Sequence, residues 1–259
     1  MPLQVVHGNS PVIICLPYTG TNMQRSIVQR LRDRDHWLTA PDRYLDKVIG
    51  GLSGEMNLVR ANFHRFLSDV EQQVNGTEPM TRKGMIGVVP LLDQDGQNIW
   101  AYPPEAREAA SWRSIYFAPY HAAVAQIAQV RARFGHAVLV TCRARRDTPF
   151  GDPGKKPDDI AIRTFIGASS AIDLPVKMQA LLQSSDQFTN SLSGQLGVGS
   201  STRRYGRPGH GVHALDLEIS EATYLNTQHD ALQLDAAKVD VLRETLAETF
   251  DLIANWRPD

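Results

Sequence analysis

The sequence has little of what marks secreted, membrane-spanning or nucleic-acid-binding proteins. It contains two cysteines, Cys15 and Cys142, and both lie in apolar runs, which predicts buried reduced thiols rather than a disulfide framework. No apolar run is long enough to span a bilayer, and residues 1–8 lack the charged start and apolar stretch of a signal peptide. The net charge of −1 provides no overall field that would attract nucleic acid or a membrane surface. We therefore expect a cytoplasmic protein that binds neither.

Several common catalytic signatures are also missing. There is no G-x-x-x-x-G-K-[ST] phosphate loop, no G-x-G-x-x-G opening a helix, no H-E-x-x-H pair and no G-x-S-x-G elbow. Neither cysteine has another cysteine at metal-site spacing. The motifs alone predict only a soluble α/β domain with a cleft at its strand ends.

What the sequence does contain is the pattern of a large α/β domain. Its 259 residues are 42% hydrophobic, which allows a sizeable core. No linker divides the chain, so residues 1–259 are interpreted as a single domain. Short apolar, β-branched runs predict buried strands, and the order strand, helix, strand is typical of an α/β sheet. The predicted strands are 11–16, 57–62, 137–142 and 212–219, with a closing amphipathic helix over 235–256.

Other segments are interpreted from composition and from single residues. Pro119 lies inside the longest helical stretch, 105–134, and predicts a kink or two helices there. The basic residues 143–156 are predicted to be irregular and to begin where strand 137–142 ends. Further predictions are helices over 24–34, 42–52 and 175–183, a strand over 63–70, and loops over 75–96 and 190–201.

The stretch 205–224 carries the main candidate for catalysis. A glycine-rich turn over 206–211 lets backbone approach a ligand closely, and an alternating strand follows it. Glu218 is predicted at the end of this strand, because Ser220 can then cap a short helix. A carboxylate on an otherwise apolar strand is costly to bury unless it has an ion-pair partner or a catalytic role. It is therefore either a general base or one half of an ion pair with a nearby arginine.

Three other positions each allow two interpretations. Arg143 begins the basic run at a strand end, which indicates either a solvated face or an anion-binding site. Tyr18 lies in the turn after the first strand, where an aromatic ring covers the core or contacts a ligand. His64 is either a satisfied histidine or a ligand.

Several stretches, taken together and in order, resemble the N-formylglutamate amidohydrolase family over nearly the whole chain. The most specific match is 202–219, which follows the family's T-R-H-Y-G-R-P-x-x-G-V-H-A-L-Q-L-E-L with Arg204 in place of the histidine. Shorter matches are 17–21 to P-H-S-G-T, 42–46 to D-W-H-V-D, 60–72 to R-A-x-x-S-R-Y-V-x-D-x-N-R, 119–121 to P-Y-H, 141–146 to D-A-H-S-I-R, and 167–170 to G-A-S-C.

This resemblance implies a fold and an activity. The family is similar in fold to zinc carboxypeptidases, so we expect an α/β structure of three layers, with a central mixed sheet and helices on both faces. Its members hydrolyse the formyl amide of N-formylglutamate. In them, zinc is thought to lie among the histidines of three of the matched segments, and the strand-end glutamate, here Glu218, would activate water.

The sequence departs from the family at the zinc positions. Tyr18, Tyr44 and Arg143 stand where the three histidines are expected. A neutral tyrosine is a poor zinc ligand, and an arginine stays protonated and repels a dication. In addition, Thr141 replaces a carboxylate and Gln72 replaces an arginine.

Two hypotheses follow. In the first, the cleft binds a small anionic ligand, an N-acyl amino acid or a carboxylate, without zinc or another cofactor and with weak or no amidohydrolase activity. In the second, the protein is an active metal-dependent hydrolase that uses substitute ligands such as Asp42, Asp46 or His64.

The first hypothesis gives Arg143 the electrostatic role of the missing metal. We expect its side chain opposite Glu218 in the mouth of the cleft, with Tyr18 and Tyr44 at the sides. There it either binds the ligand or pairs with Glu218 and plugs the site. The candidate ligand-binding residues are Tyr18, Tyr44, Arg65, Arg143, Arg146, Arg203 and Arg207, with Glu218 as the candidate catalytic residue.

Overall fold

A computed structural model gives the fold of most of the chain. It describes residues 1–34, 37, 42–52, 54–72, 74–75, 78–79, 85–93, 95–146, 158–194, 198–226 and 233–258.

The described residues form a series of strands, most of them short. They are β1 Leu3–Val6, β2 Val12–Leu16, β3 Asn57–Ala61, β4 Val74–Asn75, β5 Glu78–Pro79, β6 Met85–Ile86, β7 Val89–Pro90, β8 Ala137–Arg145, β9 Ile160–Thr164, β10 Asn190–Gly194, β11 Val212–Ser220, β12 Leu225–Asn226 and β13 Gln233–Leu234.

A mixed sheet of seven strands carries the candidate site, in the order β1–β3–β2–β8–β11–β9–β10. The central strands β2, β8 and β11 run parallel. Strand β9 is antiparallel to β11 and parallel to β10, which makes the sheet mixed, as the family resemblance implies.

The middle of this sheet is covered on both faces. Every residue of β2 and the first six residues of β8 are buried, and β11 is buried except at Glu218. Because successive side chains point to opposite faces, burial of both sets requires layers on each side of the sheet. The prediction of a three-layer α/β fold is confirmed, as are the four predicted strands.

Helices connect these strands and close the chain. In the closing helix, Ala236–Asn255, the predicted apolar stripe is buried, and Asp235 caps the helix by accepting a hydrogen bond from the Lys238 N–H. The helices are α1 Arg25–Val28, α2 Leu45–Gly50, α3 Ala106–Trp112, α4 Ala118–Val124, α5 Ile127–Phe134, α6 Asp173–Ser185, α7 Ser200–Tyr205 and α8 Ala236–Asn255, with a π-helical turn at Arg113–Phe117 and 3₁₀ turns at Pro208–His210 and Glu221–Thr223.

The long helical stretch is interrupted, as Pro119 predicts. A π-helical turn at Arg113–Phe117 precedes α4, and Pro119 is the second residue of α4. Proline lacks an N–H and crowds the preceding turn, and a widened turn accommodates both effects. A second break separates α4 from α5.

The loop predicted over 75–96 contains the two-residue strands β5, β6 and β7. Two further sequence-based assignments are wrong. Residues 63–70 form a turn rather than a strand, because the ring of His64 accepts the Phe66 N–H and the Leu67 N–H bonds to the His64 carbonyl. Residues 190–201 contain β10 and the start of α7 rather than a loop. The edge strand β10 is small and polar, so only its pairing with β9 reveals it.

Other assignments have the right element and the wrong limits. Strand β8 continues to Arg145, because its neighbour β11 supplies paired residues as far as Ser220. Arg143 therefore lies within a strand instead of after it. Helices α1 and α2 are shorter than predicted. Of the basic segment 143–156, residues 147–156 lie outside the described residues.

The chain divides into two compact units. The first consists of Met1–Val5, Leu16–Arg43 and Val59–Gln126 and contains α1, α3 and α4. The second consists of Val6–Cys15, Tyr44–Leu58 and Ile127–Asp259 and contains β8 to β11 with α2 and α5 to α8. That 1–259 forms a single domain stays a prediction.

In the part of the chain that the structure describes, no helix has the length and apolar character needed to cross a membrane.

Candidate ligand-binding site

Four charged side chains meet on one face of the sheet in the second unit. In the strand register, Glu218 of β11 lies opposite Arg143 of β8, and Asp216 lies opposite Arg163 of β9. Residues two apart on a strand share a face, so all four side chains project together. We call Arg143, Arg163, Asp216 and Glu218 the strand-end cluster, since it lies towards the carboxyl ends of β8 and β11.

Arg143 joins the two carboxylates of this cluster. Its Nη2 lies 2.9 Å from Oδ2 of Asp216 and 2.9 Å from Oε1 of Glu218. The structure thus brings Arg143 and Glu218 together, as the sequence analysis expects. It does so from within β8, whereas the sequence analysis placed Arg143 directly after that strand.

Arg163 is a member of the cluster that the sequence analysis missed. Its Nε donates to Oε2 of Glu218 at 2.6 Å, and its Nη1 donates to the Ser193 hydroxyl at 3.1 Å. The signal available in the sequence was a single arginine in the otherwise apolar run Ile160–Thr164. Both oxygens of Glu218 therefore accept a hydrogen bond from a guanidinium.

Asp216 is the buried anchor of the cluster and was also missed as a site residue. Its side chain is 0% exposed. It accepts hydrogen bonds from the Gly199 N–H at 2.7 Å and from the Thr202 hydroxyl, in addition to Arg143. A buried carboxylate is costly unless it is paired and hydrogen-bonded, and these three donors meet that requirement. They also fix the position of Arg143.

The charges of the cluster balance, and a further arginine lies beside it. Two guanidiniums face two carboxylates in the strand-end cluster itself. Arg145, two residues further along β8, donates to the Asp158 carbonyl, and no described carboxylate forms an ion pair with it. Among the described residues, Arg145 is therefore a positive charge beside the cluster that no ion pair offsets.

The other arginines of this unit that were predicted to bind a ligand do not donate to Glu218, whose hydrogen bonds come from Arg143 and Arg163. The guanidinium of Arg203 lies 4.8 Å from the centre of the Phe165 ring. Arg207 donates to the carbonyls of Arg203 and Gly206, which ties the end of α7 to the turn that follows. Arg146 directly follows β8 and is half-buried.

Tyr18 and Arg65 come together in the first unit. The Tyr18 hydroxyl lies 2.5 Å from Oδ1 of Asp69, and the Arg65 guanidinium lies 4.2 Å above the Tyr18 ring. The ring is buried, so its hydroxyl requires a partner, which Asp69 supplies. Asp69 in turn accepts the Glu71 N–H at 3.0 Å, which fixes its carboxylate.

Tyr44 precedes α2 in the second unit and has an unusual backbone conformation. Its φ of 60° places a non-glycine residue in the left-handed region, which costs of order 1 kcal/mol or more. The Lys47 ammonium lies 4.9 Å from the centre of its ring, a cation–π contact within one turn of α2.

The candidate substitute ligand His64 has both ring nitrogens in use. Nδ1 accepts the Phe66 N–H at 3.1 Å, so the proton lies on Nε2, which donates to the Trp37 carbonyl at 2.8 Å. Burial lowers the pKa of His64 to about 3. The ring is therefore neutral and satisfied, and metal binding would require it to give up one of these bonds.

Zinc, which the family resemblance implies, does not fit the side chains at the matched positions. The Tyr18 hydroxyl is committed to Asp69, and Arg143 places a fixed positive charge between Asp216 and Glu218. Among the residues that the structure describes, no group of three or more His, Cys, Asp or Glu side chains is arranged to hold a metal ion.

Comparison with known proteins gives a consistent family. The sequence model of N-formylglutamate amidohydrolase matches residues 10–225. The chain is similar to the N-formylglutamate deformylase of Pseudomonas aeruginosa, with 25% identity over 98% of this chain and 96% of that protein. It is also similar to the N-formylglutamate deformylase of Pseudomonas putida, with 24% identity over 84% of this chain and 83% of that protein.

Solved structures support the same fold. The N-formylglutamate amidohydrolase of Ralstonia eutropha superposes with a TM-score of 0.83 at 16% identity, covering 98% of this chain and 97% of the other. A protein of Agrobacterium tumefaciens superposes with a TM-score of 0.71 at 15% identity over 97% and 94% of the two chains. By sequence over most of its length, the chain belongs to the N-formylglutamate amidohydrolase family.

Proposed function

We propose that this chain binds a small anionic ligand, an N-acyl amino acid or another carboxylate, at the strand-end cluster without zinc. In this proposal its amidohydrolase activity is weak or lost. The observation that carries the proposal is Arg143, which stands at a zinc-ligand position of the family resemblance and is held between Asp216 and Glu218.

The chemistry of a guanidinium favours binding over hydrolysis. Arginine can hold a carboxylate through two parallel hydrogen bonds, which suits the acidic end of an N-acyl amino acid. It cannot lower the pKa of water to near neutrality, as a zinc ion does. Glu218, the candidate base, already accepts hydrogen bonds from Arg143 and Arg163.

The charge and the class of the relatives support an anionic ligand. Arg145, which has no ion pair with a described carboxylate, lies beside the cluster, and its positive charge favours a raised local concentration of anions. Two relatives are named N-formylglutamate deformylases, and N-formylglutamate carries two carboxylates. We propose a cytoplasmic location, since Cys15 and Cys142 are buried and form no disulfide.

Ligand binding and turnover can be measured separately on protein treated with EDTA. Thermal shift with N-formylglutamate, N-acetylglutamate and glutarate should raise the Tm, while the uncharged diamide of N-formylglutamate should leave it unchanged. Release of formate should stay near the uncatalysed rate with or without added zinc. Formate release that depends on zinc would instead support the active metal-dependent hydrolase with substitute ligands, and the lack of any anion-induced shift would refute binding.

A further inference from the structure

We propose that the ligand's carboxylate binds to Arg163 beside Glu218, and that Arg143 is a fixed support rather than the ligand's partner. This inference rests on the proposed function and assigns its contacts. Its basis is the difference between the two arginines in what holds them.

Arg143 is tied to the buried carboxylate of Asp216. Its Nη2 donates to Asp216 and to Glu218 at the same distance, and Asp216 is itself held by Gly199 and Thr202. Removing a guanidinium from a buried carboxylate leaves an uncompensated charge, which is strongly unfavourable. Arg143 therefore stays in place when a ligand arrives.

Arg163 has donors to spare. A guanidinium offers five N–H groups, and Arg163 uses one at Nε for Glu218 and one at Nη1 for Ser193. In the described part of the chain, its Nη2 has no acceptor. Its side chain is 17% exposed, so these groups are reachable from solvent. The Nη1–Nη2 edge can receive a planar carboxylate through two parallel hydrogen bonds, and it does not include the Nε that Glu218 occupies.

Glu218 is the internal anion that shares Arg163 with the ligand. It is 16% exposed and is held only by the two arginines among its hydrogen bonds to described side chains. A ligand carboxylate on the Nη1–Nη2 edge adds a second negative charge to Arg163, beside that of Glu218 at Nε. Glu218 consequently opposes binding through like-charge repulsion instead of assisting it.

Calorimetric titration of N-formylglutamate into EDTA-treated protein tests this assignment. Arg163→Lys keeps the charge and removes the two-pronged edge, and it should weaken binding about tenfold or more, since hydrogen bonds to charged groups contribute about 1.5–3 kcal/mol. Glu218→Gln should tighten binding, because a neutral amide removes the negative charge beside the ligand's carboxylate. Arg131→Gln removes an exposed arginine of α5 that donates only weakly to the His210 carbonyl, and it should bind as the wild type does.

A second variant tests the assignment without changing Arg163, in case Arg163→Lys does not fold. Ser193→Ala frees Nη1 without touching a charge, and it should bind N-formylglutamate at least as tightly as the wild type. Wild-type Kd in Arg163→Lys, or weaker binding in Glu218→Gln or Ser193→Ala, would overturn the assignment while leaving the proposed function intact. A wild type that binds no carboxylate would overturn both.

Discussion

The hydroxyl of Tyr18 donates a hydrogen bond to Oδ1 of Asp69 across 2.5 Å. Tyr18 occupies the place of a histidine in the family resemblance, in the turn that follows β2. At this position the side chain therefore acts as a hydrogen-bond donor to a carboxylate. In the first unit this turn has a structural role, and its contribution to stability can be measured.

Tyr18→Phe should lower the free energy of unfolding by about 1–2 kcal/mol, because Asp69 loses a donor in a half-buried setting. Urea denaturation followed by circular dichroism measures the change. Tyr102→Phe is the matched control, since Tyr102 is 70% exposed, and it should change the stability by no more than about 0.5 kcal/mol. Equal stability of Tyr18→Phe and the wild type would show that the hydrogen bond is not stabilising.

Gly20 allows the turn after β2 to pack against backbone. A Cβ at this position would lie 2.3 Å from the carbonyl carbon of Asn62 and 2.5 Å from the carbonyl oxygen of Phe63. Gly20→Ala should therefore destabilise the protein by about 3 kcal/mol or prevent folding. Gly209→Ala is the control, because a Cβ there meets no heavy atom within 4 Å. Thermal unfolding of the two variants should differ by many degrees, and similar Tm values would contradict the close approach.

Asp216 should matter for stability more than any exposed carboxylate. Asp216→Asn keeps the size of the side chain but removes the charge opposite Arg143 and places an amide where three donors converge. We expect a loss of about 3 kcal/mol or more in the free energy of unfolding. Asp240→Asn, on the exposed face of α8, should have little effect. If Asp216→Asn left the free energy of unfolding unchanged, the position of Arg143 would not depend on the charge of Asp216.

His213 should make the stability depend on pH. It is 1% exposed, its Nδ1 accepts the Ala171 N–H, and its ring lies edge-on to Trp256. Burial lowers the pKa of His213 to about 4, with a smaller contribution from His136, while Asp173 opposes the shift. Below pH 6.5 the unfolded state takes up a proton that the folded state does not. The free energy of unfolding should then fall by about 1.4 kcal/mol per pH unit from this residue, down to about pH 4.

Denaturant titrations between pH 7 and pH 4.5 check this dependence. His213→Gln should have a shallower slope than the wild type by that amount, whatever its stability at pH 7. His210→Gln, at an exposed position, should keep the wild-type slope. An unchanged slope in His213→Gln would assign the acid sensitivity to other groups, of which the buried His64 is the first to test.

The centre of the sheet could be predicted because the apolar character of its strands is visible in short stretches of the sequence. The runs at β2 and β8 are apolar and β-branched, and such runs are buried in every register. The sequence did not predict strand β10, because a half-exposed edge strand of small polar residues is extended only through its pairing with β9. The turn at 63–70 was not predicted because it depends on a hydrogen bond from the Phe66 N–H to the ring of His64, which composition does not reveal.

The candidate site was predicted in part for the same reason. Glu218 and Arg143 stood out as charges on or beside apolar strands, and they proved to be neighbours in register. Arg163 and Asp216 complete the cluster through a strand that runs antiparallel to β11. That pairing joins residues more than fifty positions apart and has no local signature, so these two partners could be found only in the folded structure.

We propose that the strand-end cluster binds a carboxylate ligand without zinc. The decisive test is calorimetric titration of N-formylglutamate into the same protein sample after EDTA treatment and after addition of zinc, with the zinc content of both samples measured by mass spectrometry. We expect the same Kd in both samples and no tightly held zinc in either. One zinc retained per chain, with binding seen only in the zinc-containing sample, would contradict it.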